Sequence, residues 1–534
     1  MKKTRVSTIV NKAFYPLLFC VYPILLIYSG NMDSVEFSNA VTPIILSLSG
    51  TLFLMGLFYL ISRDINKAAL IASLFLIMFF SYGHMHSAIY KHLVIADIKA
   101  GKDSDFYKQL VYWCLIGSWI VVLFFSTIKI VRSKNLELIA KTAFPINSMA
   151  AILITMPIAT ILINVVTADN VSASESKNNT ANDNLGINAD VGYLPDIYYI
   201  ILDGYARNDF LKKYYDFDNK EFIDNLKDKG FFVAKRSRSN YFWTQLSLTS
   251  SLNMEHIQFF SRSRSKIKKN NKLLNKRIRE NEVRKYLKRL GYKYVHLAST
   301  YEVTRDNSQA DMQIDCSKGT FKNEFYRTLA ESTLLKSNEQ SISEDLSDCH
   351  LENMKTLANI PGTIKGPKFV FSHFVPPHHP YLFDRDGNVL RQATVSNQFE
   401  FQKYLWFDRK KYVDQIVYLN KRFTEIVRAI QESSKRQPVI IIQSDHGPQL
   451  LDPENKRKEH KDFKNARSAN FVAVYTPKAK NIIPDNVTPV NLFRLLFNYY
   501  FNDDKKILPN TIYYSGFHRP YEFKKWTPKI KKAN

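Results

Sequence analysis

The stretch VIIIQSDHGPQL, residues 439–450, runs an apolar strand-like segment directly into Asp445, His446 and a glycine. A carboxylate at the end of a buried strand costs several kcal/mol unless a positive charge meets it. Two other segments end in the same way. DIYYIILDG (196–204) closes on Asp203, and KFVFSHF (368–374) carries His373 into PPHHPY, with His378 and His379. Carboxylates and imidazoles together suit zinc or manganese better than calcium or magnesium. Asp-Gly is also an ordinary turn pair, so the joint position of these groups at strand ends carries the signal, not any one of them. Between them, SNYFWTQLSLTSSLN (239–253) sets Thr244, Ser247 and Thr249 at the head of an apolar helix.

The elements that must position these groups alternate between strand and helix. After the run at 196–204, the pattern predicts a helix over Asn219–Lys229, a strand at 231–235, a helix from Thr244 and another over Glu282–Leu290. Strands follow at 292–298 and 368–374, then a long amphipathic helix over Lys411–Ser433 that feeds the strand at Val439. A strand at 470–476 and a helix over Pro489–Tyr500 complete the series. Continuous apolar strands separated by helices predict an α/β domain with a mostly parallel sheet covered on both faces. Ligands of such sheets gather beyond the carboxyl ends of the strands.

Ahead of this domain the chain is apolar. Five stretches approach the ~20 residues needed to cross a bilayer: Ala13–Gly30, Val41–Ser62, Ala68–Tyr90, Gln109–Val131 and Ala143–Val166. No small-residue cleavage site follows the first, so it reads as a retained anchor. Nine Lys and Arg fall in the loops of one side and four in those of the other, which puts the N-terminus inside. Five spans then deliver residues 167–534 to the outer face, the periplasm or exterior of a bacterium. The polar segment 167–193 reads as a flexible linker, and 194–534 as the catalytic domain. Cys316 and Cys349, the only cysteines of the outer domain, are a natural disulfide in an oxidising compartment, or else two separate buried thiols.

The chain has 74 Lys and Arg against 49 Asp and Glu. The excess is densest in RSRSKIKKNNKLLNKRIRE (262–280). An extracytoplasmic location argues against nucleic acid as a partner. Anionic phospholipid head groups or glycans fit such a surface, and so does a merely solvated basic face.

ILDGY, a threonine at a helix start, PHHPY and SDHG together resemble the alkaline phosphatase/sulfatase superfamily. With five spans before an outer domain, the chain is similar to its membrane-anchored branch, the lipoteichoic-acid synthases and lipid A phosphoethanolamine transferases. The likeness covers residues 195–500 and the membrane architecture. It implies a metal held by Asp203, Asp445, His446 and the nucleophile Thr244. Relatives in this branch often carry Glu where Asp203 stands and Pro where Thr249 stands, and they place Cys or Gly before the threonine. Ser247 and Thr249 therefore remain competitors for the nucleophile. The likeness also implies phosphoryl or leaving-group contacts from His378. His373, His460 and Arg467 become substrate-binding candidates, though His373 and His379 also read as packed imidazoles, and KRKEHKDFKNAR as a charged loop.

The expected activity is transfer of a phosphoglycerol or phosphoethanolamine head group from a membrane phospholipid to a surface glycan or lipid, through a phosphothreonine intermediate. The alternatives are a membrane-tethered phosphodiesterase or sulfatase-like hydrolase, and a non-catalytic envelope scaffold. The modified cysteine of sulfatases is absent.

Overall fold

A computed structural model describes residues 13–32, 35–100, 105–175, 193–263, 272–316, 324–335, 339–390, 406, 408–450, 461–479, 481–516 and 519–528. The chain divides into two compact units.

The first unit holds α1 (Tyr15–Asn31), α2 (Ser38–Ser62), α3 (Ile65–Ala100), α4 (Asp105–Arg132) and α5 (Leu136–Glu175). Four of them are long and apolar enough to cross a membrane; α1 is apolar but has 17 residues. That is close to the minimum for a span, so the expected five appear as four long helices and one short one. Leu52, Phe53, Phe125 and Ile152 stand exposed on the long helices. Outward apolar side chains are what a lipid solvent asks for. Polar groups serve the helix ends: Asn147 Oδ1 accepts the amides of Phe14 and Tyr15 at 3.0 and 2.8 Å. Lys67 Nζ donates to the carbonyls of Val131 and Ser133 at 2.9 and 2.8 Å, closing the carboxyl end of α4.

Two boundaries differ from the sequence reading. Helix α5 runs on to Glu175, so the expected linker begins as helix; residues 176–192 lie outside the described residues. The segment Phe325–Asn338 belongs to the first unit, not to the outer domain in which it was expected. Its helix Glu324–Ser332 buries Phe325 among Ile24, Tyr28, Met32, Val35 and Ala40. Gly83 of α3 makes room for it: a Cβ there would lie 1.8 Å from the carbonyl oxygen of Glu331. Small residues at such crossings let backbones approach.

The second unit is built on a seven-stranded sheet. Its strands are β1 (Ile197–Leu202), β2 (Phe231–Val233), β3 (Lys293–Leu297), β4 (Met312–Ile314), β5 (Lys368–Phe374), β6 (Val439–Gln443) and β7 (Val472–Tyr475), in the order β2-β7-β6-β1-β5-β3-β4. The run from β6 to β4 is parallel, and β7 is antiparallel to both of its neighbours. β1 is buried throughout: Tyr198, Ile200 and Leu202 enter the core on one face, Ile197, Tyr199 and Ile201 the core on the other. That two-sided burial is why its sequence is continuously apolar. In register, Ile201 stands beside His373 of β5 and Gln443 of β6, so the polar groups at the ends of the three central strands are brought together.

Around the sheet lie α6 (Thr244–Asn253), the short α7 (Glu302–Arg305), α8 (Arg409–Ser433), α9 (Phe463–Ser468) and α10 (Pro489–Tyr500), among others. A hairpin that the alternation did not predict, β8 (Ile512–Gly516) with β9 (Arg519–Trp526), braces the approach to α6. Tyr513 donates its amide to Asn240 O at 2.8 Å, and Trp243 Nε1 donates to Ser515 O at 2.9 Å. Cys316 and Cys349 are joined in a disulfide across a sequence separation of 33.

Candidate metal centre

Asp203, Asp445 and His446 offer three buried ligand atoms within 4.8 Å of one another. Each follows the carboxyl end of a central strand, β1 for the first and β6 for the other two. Two glycines fix the local paths. Gly204 sits at φ +67°, and a Cβ on it would meet the Trp406 ring at 2.9 Å. A Cβ on Gly447 would lie 2.0 Å from the carbonyl oxygen of Ala466, so only glycine lets the chain after His446 pass under α9. Two serines steady Asp445 from behind, with Ser239 and Ser247 hydroxyls donating to its carbonyl at 2.5 and 2.7 Å.

Thr244 opens α6, preceded by the extended Trp243. Its Oγ1 lies 3.1 Å from His446 Nε2 and 3.5 Å from Asp203 Oδ2. The competing hydroxyls point elsewhere. Ser247 is spent on Asp445 O, and Thr249 donates to the Gln245 carbonyl inside the helix.

The donor set fits a divalent cation. Asp203 Oδ1 and Asp445 Oδ2 are buried with no hydrogen-bond partner. His446 Nδ1 bonds the Gly447 carbonyl at 3.0 Å, which leaves the Nε2 lone pair facing Asp445 Oδ2 at 3.1 Å and Asp203 Oδ1 at 3.6 Å. That is the tautomer a metal ligand needs. Burial, together with the charge of Asp203, pushes the Asp445 carboxyl well above the ordinary range, while burial and Arg467 hold His446 neutral. Asp203 is pulled the other way: burial opposes its ionisation, but the surrounding imidazoles, led by His378, outweigh it. Two buried carboxylates this close cannot both stay charged without a cation between them.

Arg467 reaches the site from α9. It is 4% exposed, not part of a solvated loop, and it donates Nε to Phe242 O at 2.8 Å and Nη1 to Gly447 O at 3.1 Å. Its Nη2 stands 2.9 Å from His446 Nε2. His378 lies at the turn after β5, its amide donating to Asp203 O at 3.1 Å and its Nδ1 bonded to the His379 carbonyl at 2.7 Å. Its ring meets that of Trp406 edge-on at 5.0 Å. His373 Nε2 is 3.6 Å from Asp203 Oδ2. His460 lies outside the described residues. The sequence reading missed Ser239 and Trp406. A lone serine carries no pattern, and Trp406 belongs to no periodic segment.

Buried acids and an imidazole that could hold a metal ion thus stand beyond the carboxyl ends of parallel strands, with the Thr244 hydroxyl at a helix start beside them. The Sulfatase family model matches residues 195–499, more than half of the chain, and the chain belongs to that family. No curated protein matches the sequence. Among solved structures, the C-terminal periplasmic domain of EptC from Escherichia coli is 14% identical; the match covers 61% of this chain and 91% of that one, with a TM-score of 0.39. The same domain of the phosphoethanolamine transferase EptC from Campylobacter jejuni is 12% identical, covering 64% and 97% at a TM-score of 0.38. The lipooligosaccharide phosphoethanolamine transferase A (EptA) from Neisseria meningitidis, an integral membrane protein, is 11% identical, covering 90% and 94% at 0.36.

Proposed function

We propose that the protein transfers the phospho head group of a membrane phospholipid, phosphoglycerol or phosphoethanolamine, to a hydroxyl or amine of a surface glycan or lipid. The second unit then stands outside a bacterial inner membrane, and the apolar helices keep the site near its lipid donor, raising its effective concentration. One observation carries the reading: the Thr244 hydroxyl stands 3.1 Å from His446 Nε2 and 3.5 Å from Asp203 Oδ2 at the start of a helix.

Asp203, Asp445 and His446 would hold a divalent ion, zinc or manganese by their chemistry, and when bound it would supply the positive charge that favours the deprotonated Thr244 hydroxyl. Thr244 Oγ1 bonds to the donor phosphorus, the phosphorus–oxygen bond to diacylglycerol breaks, and the leaving oxygen takes a proton from water. The helix start and Arg467 face the charge carried on the phosphoryl oxygens. His378, with Nδ1 committed to the His379 carbonyl, offers Nε2 as a proton acceptor, and burial keeps it neutral. It takes the proton of the incoming acceptor, whose atom bonds to phosphorus as the bond to Thr244 breaks.

The test is a labelled phospholipid incubated with the full chain in detergent without acceptor. The expected result is one equivalent of diacylglycerol released and a phospho head group mass on the peptide bearing Thr244. Continuous release of the free head group with oxygen from water, and no adduct, would make the enzyme a hydrolase instead.

A further inference from the structure

We infer that Thr304 is a positioning residue for this site, acting through His373. Thr304 lies on α7, far from the strand ends in sequence, and is 1% exposed. Its Oγ1 stands 2.8 Å from His373 Nδ1 and 2.8 Å from Ser299 Oγ, which also has the Tyr301 carbonyl at 3.1 Å. The carbonyl of Thr304 is held in turn by His296 Nε2 at 2.9 Å, so α7 is pinned from two sides. His373 is 2% exposed; the Tyr301 ring meets it at right angles with centroids 5.7 Å apart, and its other nitrogen, Nε2, has no hydrogen-bond partner and faces Asp203 Oδ2 at 3.6 Å.

The proton order along this chain follows from what stands at its end. If His373 Nδ1 carried the proton and gave it to Thr304, the Nε2 lone pair would face a carboxylate lone pair in a buried place. If the Thr304 hydroxyl donates to Nδ1, the ring carries its proton on Nε2, which faces the Asp203 oxygen at 3.6 Å. The second arrangement turns a proton, and not a lone pair, toward the carboxylate. Thr304 thus sets the tautomer and the plane of His373, whose Nε2 faces Oδ2 of Asp203 at 3.6 Å and leaves Oδ1, buried without a hydrogen-bond partner, to the cation site.

This rests on Asp203 being a metal ligand, and the experiment separates the two claims. Zinc affinity is measured on the full chain in detergent by competition with a chromophoric chelator, alongside turnover, for Thr304→Val, Thr304→Ser and Asp203→Asn. Valine keeps the shape and removes the hydroxyl; the expected loss is about 10- to 100-fold in zinc affinity or turnover, as for other outer-shell partners of metal ligands. Serine, which keeps the hydroxyl, should return both to within roughly threefold of wild type, a rescue that a packing role of the threonine methyl would not produce. Histidine-labelled nitrogen spectra of the zinc-free chain should show one ring losing its Nε2–H signature in Thr304→Val and keeping it in Thr304→Ser. If Asp203→Asn abolishes zinc binding while Thr304→Val binds normally with unchanged spectra, the role of Thr304 is overturned and the site stands. If Asp203→Asn binds zinc normally, the site itself is wrong. Should Thr304→Val fail to fold, a Thr304→Ser variant whose affinity and spectra depart from wild type overturns the inference.

Discussion

Asp445 Oδ1 accepts the amide proton of Gly204 at 3.1 Å, which ties the acid after β6 to the backbone next to the acid after β1. The two carboxylates are therefore held close by main-chain geometry and do not depend on a bound ion to find each other. What they lack is charge compensation.

That arrangement sets a pH dependence. Burial and the neighbouring Asp203 raise the Asp445 carboxyl above its unfolded value, so in the metal-free protein its contribution to stability is present at low pH and lost as pH rises through the raised folded value. Asp445→Asn stays neutral and can still accept the Gly204 amide. Thermal melts of both metal-free proteins from pH 4 to 8 should show the variant gaining on wild type as pH rises. Zinc affinity of the wild type should run the other way, falling on acidification as protons compete for its ligands.

Thr244→Ala should lower turnover by roughly a thousandfold or more while leaving zinc binding measurable, because the covalent route is lost. Thr249→Ala removes only a bond to its own helix and should cost less than about tenfold in turnover. Ser247→Ala loosens the Asp445 carbonyl and should fall between them. Steady-state transfer assays on the three variants decide the order.

Gly83 meets the backbone of Glu331 so closely that Gly83→Leu must displace the helix Glu324–Ser332 from the membrane helices. Limited proteolysis of the full chain should then cut between residues 324 and 335, where the wild type should resist. A bundle that unfolds as a whole would instead lose the helices together.

Cys316→Ser with Cys349→Ser should lower stability by about 2–4 kcal/mol, the range for a loop of this length. Denaturant unfolding of the second unit, followed by tryptophan fluorescence, measures it.

Topology depends on the shortest helix. If the 17-residue α1 crosses the membrane, the spans are odd in number and a periplasm-active reporter fused at Asn534 is on; if it does not, the carboxyl terminus lies on the same side as the amino terminus. The expected outcome is an active periplasmic reporter.

Much of the chemistry was legible in residues 196–204, 368–381 and 439–450, because a strand buried on both faces is continuously apolar and its first polar residue is conspicuous. β1, β5 and β6 follow from that alone, as does the gathering of Asp203, His373 and Asp445-His446 at one end of the sheet. The choice among Thr244, Ser247 and Thr249 did not. All three are hydroxyls on one helix, and only the tertiary packing shows that two of them are committed to Asp445 O and Gln245 O. Arg467 read both as a substrate-binding candidate and, because its neighbours are charged, as part of a solvated loop; only the fold shows it buried against Phe242 and His446. Thr304 had no signal, since a hydroxyl reaching a histidine 69 positions away leaves no local pattern. The segment Phe325–Asn338 falls inside residues 194–534, which the sequence assigns whole to the outer domain. Its place among the membrane helices was settled by contact with Gly83, and long-range contact between short polar and small residues is what periodicity cannot encode.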